Sequence, residues 1–389
     1  MVRSRSLAFA LPIVLLLVVA GLGGSGGLLP SVRAAGAPSY TVGVSMPMSG
    51  PNAFVGQENV NAIKLAINEA NASGKLPGHA TLTLDIKDDQ YIPNVGVSAM
   101  QRMINEDHVI AVLGPFGSDV TAAVGPIANA AHIPMLVAGA TAARLSQQGW
   151  TYFFRANDND TQQGTLFMKY VIGRLHWTRV VMVHVQNDWG NGLLQFVNKT
   201  ETAADGHVVG EFSYVPGTTD FLSMVTRIKA LQFDGIVTAS LNTEMAALVR
   251  QATQAGIPGS KFAAFGADPA QLVKLVQKDA NGVYFATYYD AAHPANPVAA
   301  RFVKSYQATY GSLPTTFAAQ GYNASTMLIA AIIACGSYDP QKIGPALHQL
   351  RNVPTVFGPL TFDAQGQASH GIVVQQIRNE KAVPVGTSM

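Results

Sequence analysis

The side chains most suited to binding or reaction sit where apolar runs give way to short polar loops. Val109–Leu113 is followed by Gly114-Pro115-Phe116-Gly117-Ser118-Asp119, and Met135–Val137 by Ala138-Gly139-Ala140-Thr141. In each case the pattern predicts a buried strand running into a helical segment, with a hydroxyl and free backbone N–H groups at the junction. Such a junction favours a carboxylate through hydrogen bonds and the helix dipole. The competing reading is plain N-capping by Ser118 and Thr141. Further along, Arg179–Val185 leads into Gln186-Asn187-Asp188-Trp189-Gly190, and Gly235–Ala239 into Ser240-Leu241-Asn242-Thr243-Glu244. Trp189 could wall a pocket or face a cation, or simply pack in the core. Glu244 could neutralise an ammonium group, or serve only as an acid in a helix's first turn.

Signatures of catalysis are missing from the sequence. The one GxGxxG match, Gly21 to Gly26, has no strand before it and no helix after it. There is no P-loop, HExxH or GxSxG elbow. The nine histidines show no metal-ligand spacing. No metal or cofactor is expected, and the chain is expected not to be an enzyme.

The elements that must hold these loops in place alternate along the chain. Tyr40–Ser45 reads as a strand and Gln57–Ala72 as a helix whose Val60, Ile63, Ile67 and Ala70 share one face. Leu82, Leu84 and Ile86 alternate as in a strand. After Asp160 the rhythm repeats, with strands at Arg179–Val185, Val208–Tyr214, Gly235–Ala239, Lys261–Phe265 and Val283–Phe285. Two long helices, Val298–Tyr310 and Phe317–Ala334, follow; a shorter helix lies near Lys342–Leu350 and a last strand at Gly371–Ile377. Strand–helix alternation predicts parallel sheets covered on both faces, here as two α/β lobes. A chain of 389 residues exceeds what one core usually organises.

The N-terminus has a different purpose. Arg3 and Arg5 precede an apolar run from Leu7 to Ala20, and Val32-Arg33-Ala34 offers a cleavage site, so residues 1–34 read as a secretory signal. Those residues carry three arginines and no acid. Of 25 basic and 23 acidic residues overall, 22 and 23 then remain, which removes any case for nucleic acid. Cys335 is the sole cysteine and is expected to be buried in a helix. No further hydrophobic span is expected beyond the signal.

Five stretches, taken in order, resemble type I periplasmic solute-binding proteins of the branched-chain amino acid (Leu/Ile/Val-binding) transporter family. They are Thr41–Gly56, Ile110–Thr121, Ile133–Thr141, Asn187–Leu193 and Gly358–Gly366. The resemblance implies two doubly wound parallel-sheet lobes joined by a three-crossing hinge near Asn157, Ala286 and Pro354. The lobes would comprise 38–157 plus 287–354, and 158–286 plus 355–389. By position it implies that Ser118 and Thr141, with backbone of Gly139 and Phe116, bind a ligand α-carboxylate. Glu244 would bind the α-amino group, and Trp189 would close over the ligand. The implied protein is a monomer outside the cytoplasm that delivers a small amino acid, aliphatic or branched-chain, to an ABC-type permease. Departures from the family pattern are Val55 in place of an aromatic wall and Ala239-Ser240-Leu241 in place of Gly-Gly-Tyr. Another small solute (an amide, urea or aromatic carboxylate) is the alternative, and a secreted hydrolase the remote one.

Overall fold

The computed structural model describes residues 37–203 and 206–388. The signal segment 1–34 lies outside the described residues. Two sheets organise the rest. The first comprises β1 (Ser39–Met46), β2 (Thr81–Asp88), β3 (Val112–Leu113), β4 (Met135–Val137) and β5 (Phe153–Arg155). It is entirely parallel, in the order β2-β1-β3-β4-β5. Helices α1 (Ala53–Ala72), α2 (Pro93–Asn105) and α3 (Ser118–Ala130) connect its strands. All four apolar residues spaced along α1 are buried, as their period required. The two-residue β3 is shorter than the apolar run 109–113, because only Val112 and Leu113 find partners on both sides.

Beyond α4 (Asp160–Leu175) the chain builds the second sheet. Five of its strands are β6 (Arg179–Val185), β7 (His207–Tyr214), β8 (Gly235–Ala239), β9 (Phe262–Phe265) and β10 (Tyr284–Thr287). The connecting helices are α5 (Asp188–Ala203), α6 (Leu222–Lys229), α7 (Asn242–Gln254) and α8 (Pro269–Val276). After β10 come α9 (Pro297–Tyr310), α10 (Thr316–Cys335), α11 (Pro340–Gln349) and a small hairpin, β11 (Val353–Thr355) with β12 (Gly358–Leu360). The chain then returns to the second sheet as β13 (Ile372–Arg378) and β14 (Lys381–Ser388).

The order of that sheet is β14-β13-β10-β9-β8-β6-β7. Strands β6 to β10 run parallel; β13 and β14 join antiparallel to complete one edge. The fold is therefore α/β with two parallel-sheet lobes, the second extended by an antiparallel hairpin of which the sequence pattern gave only the first strand. Helix α10 packs along α1, against the first sheet. By length and composition alone it is apolar enough to cross a membrane, contrary to expectation, but 67% of its apolar window is buried by the fold. Cys335 ends this helix and is half-buried, not fully enclosed, with its thiol near the Ile332 and Ser337 carbonyls.

The strand passages between the sheets are knotted together by polar groups. Asp158 is fully buried, and its carboxylate accepts from the backbone N–H groups of His370 and Gly371, each at 3.0 Å. The Tyr288 hydroxyl donates to the Asp158 carbonyl at 3.3 Å. Residues from all three passages thus meet at one aspartate. The third passage follows Gln367, later than the Pro354 expected, because Arg155 and Gln367 hold the 363–367 turn to the edge of the first sheet.

Arg155 itself is buried completely. It donates to Gln367 Oε1 (2.6 Å), to the carbonyls of Ala140 (2.9 Å) and Ala142 (3.0 Å), and to Ser146 Oγ (2.5 Å). Removing it strands several buried acceptors, each costly to leave unpaired. Arg155→Met is expected to lower unfolding free energy by about 3 kcal/mol or more in urea titration. The exposed Arg102→Met should stay within ~0.5 kcal/mol of the parent.

Candidate functional site

The loops after β3 and β4 lie side by side because their strands are neighbours in a parallel sheet. Ser118 is the first residue of α3 and 2% exposed. Its hydroxyl accepts from the backbone N–H of Ala142 at 3.2 Å. That bond ties the β3 loop to the β4 loop one residue past Thr141. Neither hydroxyl is an N-cap: the capping positions are Gly117 and Ala142, and neither makes a side-chain capping bond. Thr141 does not open an α-helix either, since a five-residue 3-10 turn, Ala143–Gln147, follows it.

Gly139 is required by geometry. It adopts φ +144°, and a Cβ there would lie 2.1 Å from the Phe116 ring. The close approach lets Phe116 lie across the loop, where it also meets Phe317 of α10 edge-on at 5.6 Å between ring centres. Trp189, in the first turn of α5, sits on Gly266 after β9, where a Cβ would come within 2.2 Å of the indole. These contacts narrow the space between the two sheets to a small cavity of about 40 Å³. Phe116, Ser118, Gly139, Thr141 and Trp189 all line it. The arrangement is closed: Asp119 accepts from the Asp188 backbone at 3.0 Å, Arg144 pairs with Asp188, and Thr243 donates to the Pro51 carbonyl at 3.3 Å.

Glu244 lies elsewhere. It faces a smaller compartment next door, with Asn52 and Tyr214, which shares Tyr91, Trp189 and Leu241 with the main cavity. It is 3% exposed; Oε1 accepts from Gly217 N–H at 3.0 Å and Oε2 has no partner among the described residues. Burial pushes its carboxyl above the ordinary range.

The sequence pointed to neither Asp160 nor the α10 residues as part of this site. Asp160 opens α4; its backbone N–H donates to the Thr141 carbonyl at 2.8 Å. Its carboxylate is buried, and neither oxygen has a hydrogen bond within normal reach. Burial pushes its pKa to about 7, against the pull of the Thr141 hydroxyl, Arg155 and the Trp189 indole. Asp268, the N-cap of α8, follows the cavity-lining pair Gly266-Ala267, and its carboxylate accepts from Gln271 N–H (3.0 Å) and Thr316 N–H (3.4 Å). Gln163, Tyr288, Thr316, Phe317 and Gln320 complete the cavity wall. A polar pair four apart at the start of α10, Thr316 and Gln320, was the available signal. Among the described residues no group of three or more His, Cys, Asp or Glu could hold a metal.

A cleft between two α/β lobes, lined by hydroxyls, backbone and aromatic rings, is the architecture of a solute-binding protein. The periplasmic binding protein family matches residues 39–382, and the chain belongs to that family. It is 27% identical over 352 residues to Leu/Ile/Val-binding protein homolog 1 of Brucella melitensis, covering 88% of this chain and 92% of that one. Among solved structures it is similar to the branched-chain amino acid transporter substrate-binding protein LivJ of Streptococcus pneumoniae in complex with isoleucine. That match has a TM-score of 0.82 and 26% identity, over 88% of this chain and 97% of that one. A solute-binding protein of an R. palustris ABC transporter, in complex with benzoate, shares the fold at TM-score 0.81 and 22% identity, over 90% and 96%. These relatives are solute-binding proteins by name, and the family places the chain outside the cytoplasm.

The buried Asp160 gives a pH signature. Its folded pKa of about 7 stands above the ordinary 3.8. Between those values the folded protein keeps a proton that the unfolded chain has released, so this group makes stability fall as pH rises through the window. Asp160→Asn should remove a decline of up to roughly 4 kcal/mol between about pH 4 and 7, read by urea unfolding across that range.

Proposed function

We propose that this protein is the solute-binding component of an ABC importer and holds a small α-amino acid, of aliphatic or branched-chain build, between its lobes. The observation that carries the reading is the Ser118–Ala142 hydrogen bond, which places two hydroxyls and the Gly139 backbone on one wall of the interlobe cavity. Those groups suit a carboxylate. Glu244, in the adjoining compartment, supplies the negative charge for the ammonium end. The Leu/Ile/Val-binding relatives and the isoleucine-bound LivJ support this ligand class.

In this reading the open form takes ligand on the first lobe. Hinge closure then brings up Trp189, Leu241 and Gly266, so the ligand favours the closed state through contacts made only there. The closed form is what a membrane permease receives. Export through the 1–34 signal, with cleavage after Ala34, and a monomeric state belong to the same proposal. A second reading, an aromatic carboxylate, draws on one feature: no ionised side chain lines the main cavity, while Tyr91, Phe116, Trp189, Tyr288 and Phe317 do.

A thermal-shift screen of the mature chain against amino acids, amides and aromatic acids decides between them. A ligand at 100 times its Kd adds about 2.7 kcal/mol of stability. Leucine, isoleucine or valine should raise the Tm, and Ser118→Ala and Thr141→Val should each weaken binding about 10-fold. Silence from every amino acid, with a response to an aromatic acid, selects the second reading. Glu244→Gln should weaken amino acids and leave aromatic acids unaffected.

A further inference from the structure

The cavity wall supplied by α10 carries two polar atoms for which the protein offers no partner. Thr316 Oγ1 and Gln320 Oε1 are both buried, and neither makes a hydrogen bond to any described residue. Gln320 is only 5% exposed, and both side chains line the cavity. Four residues apart, they stand one above the other on a single helix face. Phe317, beside them, packs edge-on against Phe116, which turns this face towards the loops that carry Ser118 and Gly139.

Two hydroxyls further along the helix are satisfied internally, and Asn323, whose Nδ2 is also without a partner among the described residues, does not line the cavity. Ser325 and Thr326 donate to the carbonyls of Gly321 and Tyr322, four residues back. Thr315 caps the helix and bonds Glu58. Thr316 is in the first turn, where no helical carbonyl precedes it. A buried acceptor without a partner is costly, and an apolar residue of the same shape would avoid that cost. Both atoms are therefore positioned for something that enters the cavity.

We infer that Thr316 and Gln320 form a polar subsite that receives an uncharged hydrogen-bond donor, a hydroxyl or amide, on the ligand's side chain. The inference rests on the reading that the cavity is the ligand site and that the carboxylate lies at Ser118 and Thr141. The donor is uncharged because neither residue carries charge, and Asp268, which meets the Thr316 backbone, already accepts from two backbone N–H groups. Among ligands of similar shape, the protein then prefers threonine to valine and asparagine to leucine.

Isothermal titration with three matched pairs tests this: valine and threonine, leucine and asparagine, benzoate and 4-hydroxybenzoate. The wild-type protein should favour the donor-bearing member of at least one pair by about 10-fold or more. In Thr316→Val and in Gln320→Met that preference should fall at least about 5-fold, while the hydrocarbon member binds unchanged or tighter. Equal or better binding of the hydrocarbon member in every pair, a preference untouched by both variants, or binding of none of the six overturns the proposal. If the amino acids are silent but both variants erase a preference for 4-hydroxybenzoate, the amino acid reading fails and the subsite stands. Both unliganded variants should melt at or above the wild-type temperature. A drop in both would show that the two atoms already have partners, and would overturn it.

Discussion

Site and hinge share one anchor, the guanidinium of Arg155. It is a fully buried charge spread over four acceptors, two of them carbonyls of the loop that bears Thr141. Held from behind in this way, the 138–142 loop keeps Gly139 and Thr141 facing the cavity. The same side chain grips Gln367, whose amide bonds the Asn157 carbonyl at 2.7 Å. One cation therefore fixes the cavity-facing loop and two of the three strand passages. A buried charge is tolerable only when its donors are satisfied, which is why so many acceptors converge on it.

Rigidity on that side contrasts with the contacts on the other. The cavity is closed by groups from the second lobe whose polar links to the first include the Arg144–Asp188 pair and the Asp119–Asp188 bond. Partly exposed ion pairs contribute modestly. Asp160 lies at the boundary: it opens the first helix of the second lobe, bonds the Thr141 loop by its backbone, and keeps its carboxyl unpaired beside Trp189.

Membership of the periplasmic binding protein family gives these features a common purpose. The paired loops after β3 and β4 occupy the carboxyl ends of adjacent parallel strands, where open α/β sheets receive ligands. The neutral lining is consistent with a solute whose charges are met by hydroxyls, backbone dipoles and a single acid behind an aromatic partition.

Periodicity and loop chemistry are local properties, so the residue order was enough to indicate the alternation of strands and helices, the two-lobed α/β class and, of the residues that line the cavity, Ser118, Thr141 and Trp189, with Phe116 and Gly139 added by the family resemblance. It placed Ser118 and Thr141 in loops after neighbouring strands but left capping open as the competing reading, since capping depends on φ and ψ at Gly117 and Ala142. It found β13 as the strand Gly371–Ile377 and stopped there, leaving out β14, whose place at the edge is fixed by antiparallel pairing with β13. Three-dimensional packing was needed to turn Glu244 into a side compartment, to bring Arg155 and Gln367 together across 212 residues, and to aim Thr316 and Gln320 into the cleft. Burial and partnership depend on which distant segment arrives opposite a side chain, and no local pattern contains that information.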